Sequence, residues 1–248
     1  MIRLENLQYE YTDGTAALKN IHLEIQQGEF LLICGPNGSG KTTLIRHLNG
    51  LLLPSSGRVL VEGVDTASNA KHALKRVGMV FQDADSQIIG ETVWEDVAFG
   101  PENLGLDATE IEERVDHALK LVGLQALAQK SCHLLSGGEK RRVAIAGVLA
   151  MQPDILVFDE PFANLDYPGV TQVLQQIIQL HAMGHTIVMT THDVEKVVAH
   201  VDTIAIVQGG ELKRTGPPEE IIPQLSHYGI RPPCFSLFGE KTISWLTE

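Results

Sequence analysis

The chain has 248 residues, 44% hydrophobic and 5% aromatic, enough for one α/β domain with an inserted subdomain but not for a second full domain. Its formal net charge of −12, from 19 Lys and Arg against 31 Asp and Glu, argues against nucleic acid as the main partner, because that affinity needs clustered positive charge. Three cysteines, Cys34, Cys132 and Cys234, stand far apart with no CxxC pair, which suggests neither a disulfide framework nor a zinc site and fits a reducing cytosol.

No apolar run approaches the roughly 18 residues that cross a bilayer. The start, Met1-Ile2-Arg3-Leu4-Glu5, lacks the basic-then-apolar layout of a signal peptide. The expectation is a soluble chain whose membrane role would come through a partner.

In chain order, strands are predicted over Ile2 to Tyr9, Ile21 to Ile25 and Phe30 to Cys34, with a Gln27-Gly28 turn between the last two. Directly behind Cys34 stands Gly35-Pro36-Asn37-Gly38-Ser39-Gly40-Lys41-Thr42, with Thr43 next and a helix-like run from Leu44 to Leu48. A strand, a glycine-rich turn and a helix in that order form a phosphate cradle: backbone N–H groups wrap an anion and the helix dipole favours it. Lys41 can reach the outer phosphates of a nucleoside triphosphate, and the Thr42 hydroxyl can ligate its Mg²⁺.

Strands follow at Arg58 to Val61 and Val77 to Phe81, with Gln82 at the end of the second. From Asp83 to about Gln152 the pattern turns helical. Its clearest helix starts at Asp107, carries Ile111, Val115, Ala118, Leu119 and Val122 on one face, and stops at Gly123. Leu135-Ser136-Gly137-Gly138-Glu139 leads into a helix from Lys140 to Ala150. Taken alone it reads as a serine cap with flexible glycines, yet it also offers a second helix end to an anion.

The α/β pattern returns with the strand Ile155 to Phe158, which ends in Asp159 and Glu160, at the sheet edge where open α/β folds bind ligands. Asp159 can hold the Mg²⁺ shell and Glu160 can act as general base toward water. A helix Val170 to Leu180 stops at Gly184, a strand Thr186 to Thr190 follows, and Asp193 is predicted to cap a helix to His200. Thr203 to Val207 and Glu211 to Thr215 should pair across Gly209-Gly210. Past Pro223 the pattern weakens, and a tail with Phe235, Phe238 and Trp245 is expected to dock on the core. The i,i+4 pair His181 and His185 makes no metal site, since Gly184 breaks the helix between them.

With these motifs in place the sequence resembles the ATP-binding cassette (ABC) family of ATPases, over about residues 1–222. The phosphate loop, Gln82, Leu135-Ser136-Gly137-Gly138-Glu139, Asp159-Glu160 and His192 stand in family order. The resemblance implies an α/β phosphate-loop NTPase core, a mixed sheet with flanking helices. Residues 1–82 and 153–222 would form that core, 83–152 an inserted helical subdomain, and 223–248 a C-terminal extension.

It implies ATP and Mg²⁺ as cofactors, Tyr11 stacking on adenine, and Gln82 sensing Mg²⁺ and the attacking water. His192 would contact the γ-phosphate and orient Glu160, and Asp166 would cross a dimer interface. ATP would lie between the loop of one subunit and Ser136-Gly137-Gly138 of the other, in a homodimer or a pair with a paralogue. Glu139 stands where Gln is more usual, and Ala163-Asn164-Leu165 where Ser-Ala-Leu is frequent.

A finer resemblance covers Phe81 to Ser86 and Gln87, then Glu91 to Leu106, including Trp94-Glu95-Asp96-Val97-Ala98-Phe99-Gly100-Pro101-Glu102. It looks like the ATPase component of energy-coupling factor transporters, the cobalt and nickel uptake systems included. That implies a peripheral subunit at the cytoplasmic membrane face. It would drive uptake of a metal ion or a vitamin through an integral membrane subunit and a small substrate-binding membrane subunit. Two alternatives stay open: a soluble ABC ATPase acting on nucleic acid or ribosomes, and a nucleotide-dependent scaffold without turnover.

Overall fold

The computed structural model describes residues 1–238 and 244–246. Two sheets organise it. Strands β1 (Ile2–Glu10), β2 (Ala16–Ile25), β4 (Ser56–Val61) and β5 (Val64–Asp65) form an antiparallel sheet in the order β2-β1-β4-β5. Strands β3 (Phe30–Cys34), β6 (Val77–Val80), β7 (Ile155–Asp159), β8 (Thr186–Thr191), β9 (Thr203–Gln208) and β10 (Glu211–Gly216) form the second, in the order β10-β9-β3-β8-β7-β6. It is parallel except for β10, which turns back on β9 through Gly209-Gly210.

The central strands are apolar runs because both their faces are covered. Alternation along β3 divides the interior. Leu31 and Ile33 face the antiparallel sheet and helix α1 (Lys41–Leu48), whereas Phe30, Leu32 and Cys34 face the helices on the other side. Burial pushes the Cys34 thiol up to about 12, so it behaves as an inert apolar group.

Helices α3 (Val93–Asn103), α4 (Ala108–Leu121) and α5 (Gly137–Ala150) pack on one another and share their core with the parallel sheet. Helix α4 begins where its sequence says. Asp107 accepts the Glu110 N–H at 2.9 Å, Val115, Ala118 and Leu119 are buried, and Gly123 takes φ 67°. Helix α3 starts with a reciprocal cap between Thr92 and Glu95. A short helix α2 (Ala70–Arg76), capped by Asn69 and not expected from the sequence, lies beside β6. Helix α6 (Tyr167–Ala182) returns along the parallel sheet and ends before Gly184, at φ 97°.

The helix expected after Asp193 is not there. Two 3₁₀ turns, Val194–Lys196 and Val198–His200, take its place. The Asp193 carboxylate pairs with Lys196 at 3.1 Å and caps no N–H, while its own N–H donates to Thr191 Oγ1. Val194, Val197, Val198 and Val201 are all buried, so packing of poor helix formers sets the path.

Beyond helices α7 (Pro218–Ile221) and α8 (Cys234–Phe238), the tail returns to the body. Phe235, Trp245 and Leu246 pack on the core, and Trp245 tilts against Tyr167 at 5.6 Å between ring centroids. The side chain of Phe238 lies outside the described residues.

His47, near the end of α1, is fully buried, donates from Nδ1 to the Thr43 carbonyl at 2.7 Å and packs edge-on against Tyr9. Burial holds its imidazole below the ordinary value. The unfolded chain therefore takes up more protons as the pH drops through about 6.5, so stability is complete above that value and is lost on acidification. The thermal midpoint is expected to fall more steeply between about pH 7.5 and 5.5 in the wild type than in His47→Gln; parallel slopes would contradict this.

Candidate functional site

The strand order places β8 between β3 and β7, so three strand ends meet at one edge. Register pairs Cys34 with Thr191 and Asp159 with Thr190. The loop after β3, His192 after β8 and Glu160 after β7 therefore converge. A cavity of about 810 Å³ gathers Tyr11, Asn37, Gly38, Ser39, Gly40, Lys41, Thr42, Thr43, Gln82, Glu160 and His192.

The loop is built for close approach. A Cβ on Gly35 would stand 2.1 Å from the Val207 carbonyl oxygen, and Gly40 takes φ 103° as the residue that opens α1. No side chain caps that helix, so its first N–H groups face the cavity. Pro36 accepts the Ser39 N–H at 3.2 Å and closes the turn, and the buried Ser39 hydroxyl has no partner among the described residues.

Lys41 folds back to donate from Nζ to the carbonyls of Gly35 (2.9 Å) and Pro36 (3.2 Å), and lies 4.0 Å from Glu160 Oε1. Thr42 donates to Asp159 Oδ1 at 3.2 Å. On the other side of Glu160, His192 Nδ1 lies 3.0 Å from Oε2. Tyr11 stands at the mouth, its hydroxyl sharing a hydrogen bond of 2.8 Å with Thr43.

An uncapped helix end, an orphaned buried hydroxyl, a lysine and a hydroxyl–carboxylate pair fit a nucleoside triphosphate with a hard cation that prefers oxygen ligands. Thr42 and Asp159, bonded to each other, present oxygen atoms of the kind such a cation takes. Among the described residues no cluster of three or more His, Cys, Asp and Glu competes for it.

Ser136, Gly137, Gly138 and Asp166 do not join this set. They line a separate cavity of about 490 Å³, while a cleft of about 710 Å³ bordered by Thr42, Gln82, Asp159 and Gly137 runs between. Glu139, the departure noted in the sequence, accepts the Ser136 N–H at 2.7 Å and receives Ser136 Oγ as the cap of its own N–H. That Ser136 N–H holds the Glu139 carboxyl below its ordinary value. Asp166 in turn caps α6 through the Gly169 N–H at 2.9 Å.

Two residues that sequence reasoning missed bear on the site. Arg141, buried in α5, gives its guanidinium to the carbonyls of Phe81 and Gln82 and so anchors that corner. Thr190, also buried, bonds both Asp159 and Glu160. Both stand where a side chain would be called surface charge or strand filler, and only the fold turns them toward Gln82 and the carboxylates.

Fold and edge together define a phosphate-loop nucleoside triphosphatase. The family model described as ABC transporter matches residues 18–163. An energy-coupling factor transporter ATP-binding protein of Methanosarcina acetivorans is 46% identical over 245 residues, 97% of this chain and 89% of that protein. A cobalt import ATP-binding protein of Rhodobacter capsulatus is 45% identical over 239 residues, 94% of this chain and 85% of its own length. The solved structure of CbiO1 from Clostridium perfringens, part of an ABC transporter complex, superposes with a TM-score of 0.82 at 40% identity and 90% coverage of both chains.

The chain belongs to the ABC transporter family. It is an ATPase, with ATP and Mg²⁺ as its cofactors.

The cap geometry makes a direct prediction. Glu139→Gln keeps the acceptor oxygen and should leave the unfolding free energy nearly unchanged, whereas Ser136→Ala should lower it by about 1 kcal/mol. Denaturant titration distinguishes these outcomes, and equal losses would contradict the reciprocal cap.

Proposed function

We propose that this chain is the ATP-hydrolysing subunit of an energy-coupling factor type importer, working peripherally at the cytoplasmic face of the membrane. It drives uptake of a metal ion such as cobalt or nickel, or of a vitamin, through an integral membrane subunit and a small substrate-binding membrane subunit. The names of the two relatives support the importer type and cobalt among the solutes. Among the described residues no helix is long and apolar enough to cross a membrane, so contact with the bilayer pathway falls to those partners.

One observation carries this reading. The Phe81–Gln82 corner has the nucleotide cavity on one side and an apolar groove on the other, and Phe81 lines that groove. The groove holds about 620 Å³ and exposes Ile89, Phe99, Leu51 and Leu74 by 45 to 59%. A concentration of large apolar side chains at one concave place marks a contact surface, and the runs Phe81 to Gln87 and Glu91 to Leu106, which supply Phe81, Gln87, Phe99 and Leu104 to it, resemble the part that in the family grips a membrane subunit. A helix seated there pushes on the corner that carries Gln82.

The roles proposed for the site follow its geometry. Glu160 takes a proton from the attacking water, and His192 holds it in direction through the Nδ1 contact. Lys41 supplies positive charge at the loop, where Gly35, Pro36, Asn37, Gly38, Ser39, Gly40 and Thr43 provide the cradle. Thr42, Asp159 and Gln82 serve Mg²⁺, which when bound would offset the charge that develops on the phosphate oxygens. Tyr11 is proposed to stack on adenine.

Ser136, Gly137, Gly138 and Asp166 complete the site of a second subunit: in their own chain Ser136, Gly138 and Asp166 open on a different cavity, and Gly137 also borders the cleft toward Thr42 and Asp159. The working unit is a homodimer, or a pair with a paralogue. In this reading residues 1–222 form the ATPase domain, with 83–152 as its helical subdomain and 223–248 as an extension.

Glu160→Gln should lower kcat about 10²- to 10⁴-fold while ATP still binds, as read by phosphate release and nucleotide binding. Undiminished turnover would contradict the base assignment. Affinity purification from host membranes in mild detergent should recover multi-spanning membrane proteins, and Phe99→Glu should abolish their recovery. Recovery of only soluble proteins or nucleic acid would overturn the importer reading.

A further inference from the structure

Strand β8 runs Ile187, Val188, Met189 through the middle of the sheet, then places Thr190 beside Asp159 on β7. Thr190 has no exposed surface. Valine would fill the same volume with no polar atom to satisfy, and a hydroxyl in so dry a place costs stability unless it is bonded.

Its bonds go to the two carboxylate residues of the site. The Glu160 N–H donates to Thr190 Oγ1 at 3.1 Å and also to the Thr190 carbonyl at 3.1 Å. An N–H can only donate, so Oγ1 is the acceptor there. The single hydroxyl hydrogen is then directed at Asp159 Oδ1, 2.6 Å away, an oxygen that also receives Thr42. Glu160 itself sits at φ 45°, left-handed backbone that a non-glycine residue holds only where its surroundings fix it. Its N–H is held by the two acceptors of Thr190, and its carbonyl by the Ala163 N–H at 3.1 Å.

We propose that Thr190 is a positioning residue for hydrolysis. Its hydroxyl fixes Asp159 Oδ1 and the Glu160 backbone together, and so couples the direction of the cation-holding carboxylate to that of the general base. The inference rests on the roles proposed above for Asp159 and Glu160.

The test compares Thr190→Val, Thr190→Ser and Glu160→Gln with the wild type. Thr190→Val should lower kcat about 10- to 100-fold and raise the half-saturating Mg²⁺ concentration by a similar factor, as is usual when a partner of a metal ligand is lost, with KM for ATP little changed. Without turnover, a fluorescent ATP analogue should bind equally to both proteins in chelator, while the gain in affinity on adding Mg²⁺ shrinks in the valine variant. Thr190→Ser keeps the hydroxyl and should restore both readouts.

Thermal unfolding of the nucleotide-free proteins reports whether each variant folds, and Thr190→Ala takes the place of Thr190→Val if the latter does not. Wild-type kcat and Mg²⁺ dependence in Thr190→Val would overturn the proposal, as would a serine variant as impaired as the valine one. If Glu160→Gln turns over normally, the underlying base assignment fails; if it is inactive while Thr190→Val is not, only the role of Thr190 fails.

Discussion

Parallel pairing of β7, β8 and β3 is the constraint on which the site depends. In-register neighbours bring Asp159 next to Thr190 and Cys34 next to Thr191, so the chain leaves three adjacent strands at one level. A phosphate loop, a carboxylate pair and a histidine that are over a hundred residues apart in places need no further device to meet. The buried strands supply rigidity, because both faces of the sheet are covered by closely packed side chains. A slip of one residue in β8 would exchange the faces of Thr190 and Thr191 and break the connection to both carboxylates.

Glu160 draws two other side chains of this edge to it. Lys41 turns to the loop carbonyls and lies 4.0 Å from Glu160, and His192 Nδ1 lies 3.0 Å from the other oxygen of the same carboxylate, so the two side chains share Glu160 as a partner. An incoming anion competes for Lys41 with acceptors already in place, and the open end of α1 adds its dipole. The second helix end, at Ser136, is different. Its first N–H groups are partly served by its own cap, and Ser136 and Gly138 open on another cavity.

Much of this was legible in the sequence, and unevenly so. The loop from Gly35 to Thr42 and the strand ending at Asp159 were readable because local chemistry specifies them: glycines where a Cβ would strike backbone, and apolar runs ending in carboxylates. Likewise α4 follows from Asp107, its apolar stripe and Gly123. What stayed hidden depends on distant contacts. That the first two strands leave β3 for a separate sheet is decided by β4 pairing on β1. The stretch after Asp193 loses its helix to a lysine partner and a buried row of valines. Arg141 and Thr190 show their use only when the fold brings Gln82 and Asp159 beside them. Glu139 stands where Gln is more usual, and its bond to the Ser136 N–H gives it a local reason.

In the proposed dimer one chain carries halves of two different nucleotide sites, and ATP joins them. Static light scattering of Glu160→Gln at micromolar concentration with Mg²⁺ and ATP tests it most directly. A mass about twice the 27.1 kDa of one chain is expected, returning to the single-chain value when ADP replaces ATP or when Ser136 is changed to a bulky charged residue. A mass that stays at one chain with ATP bound would contradict it.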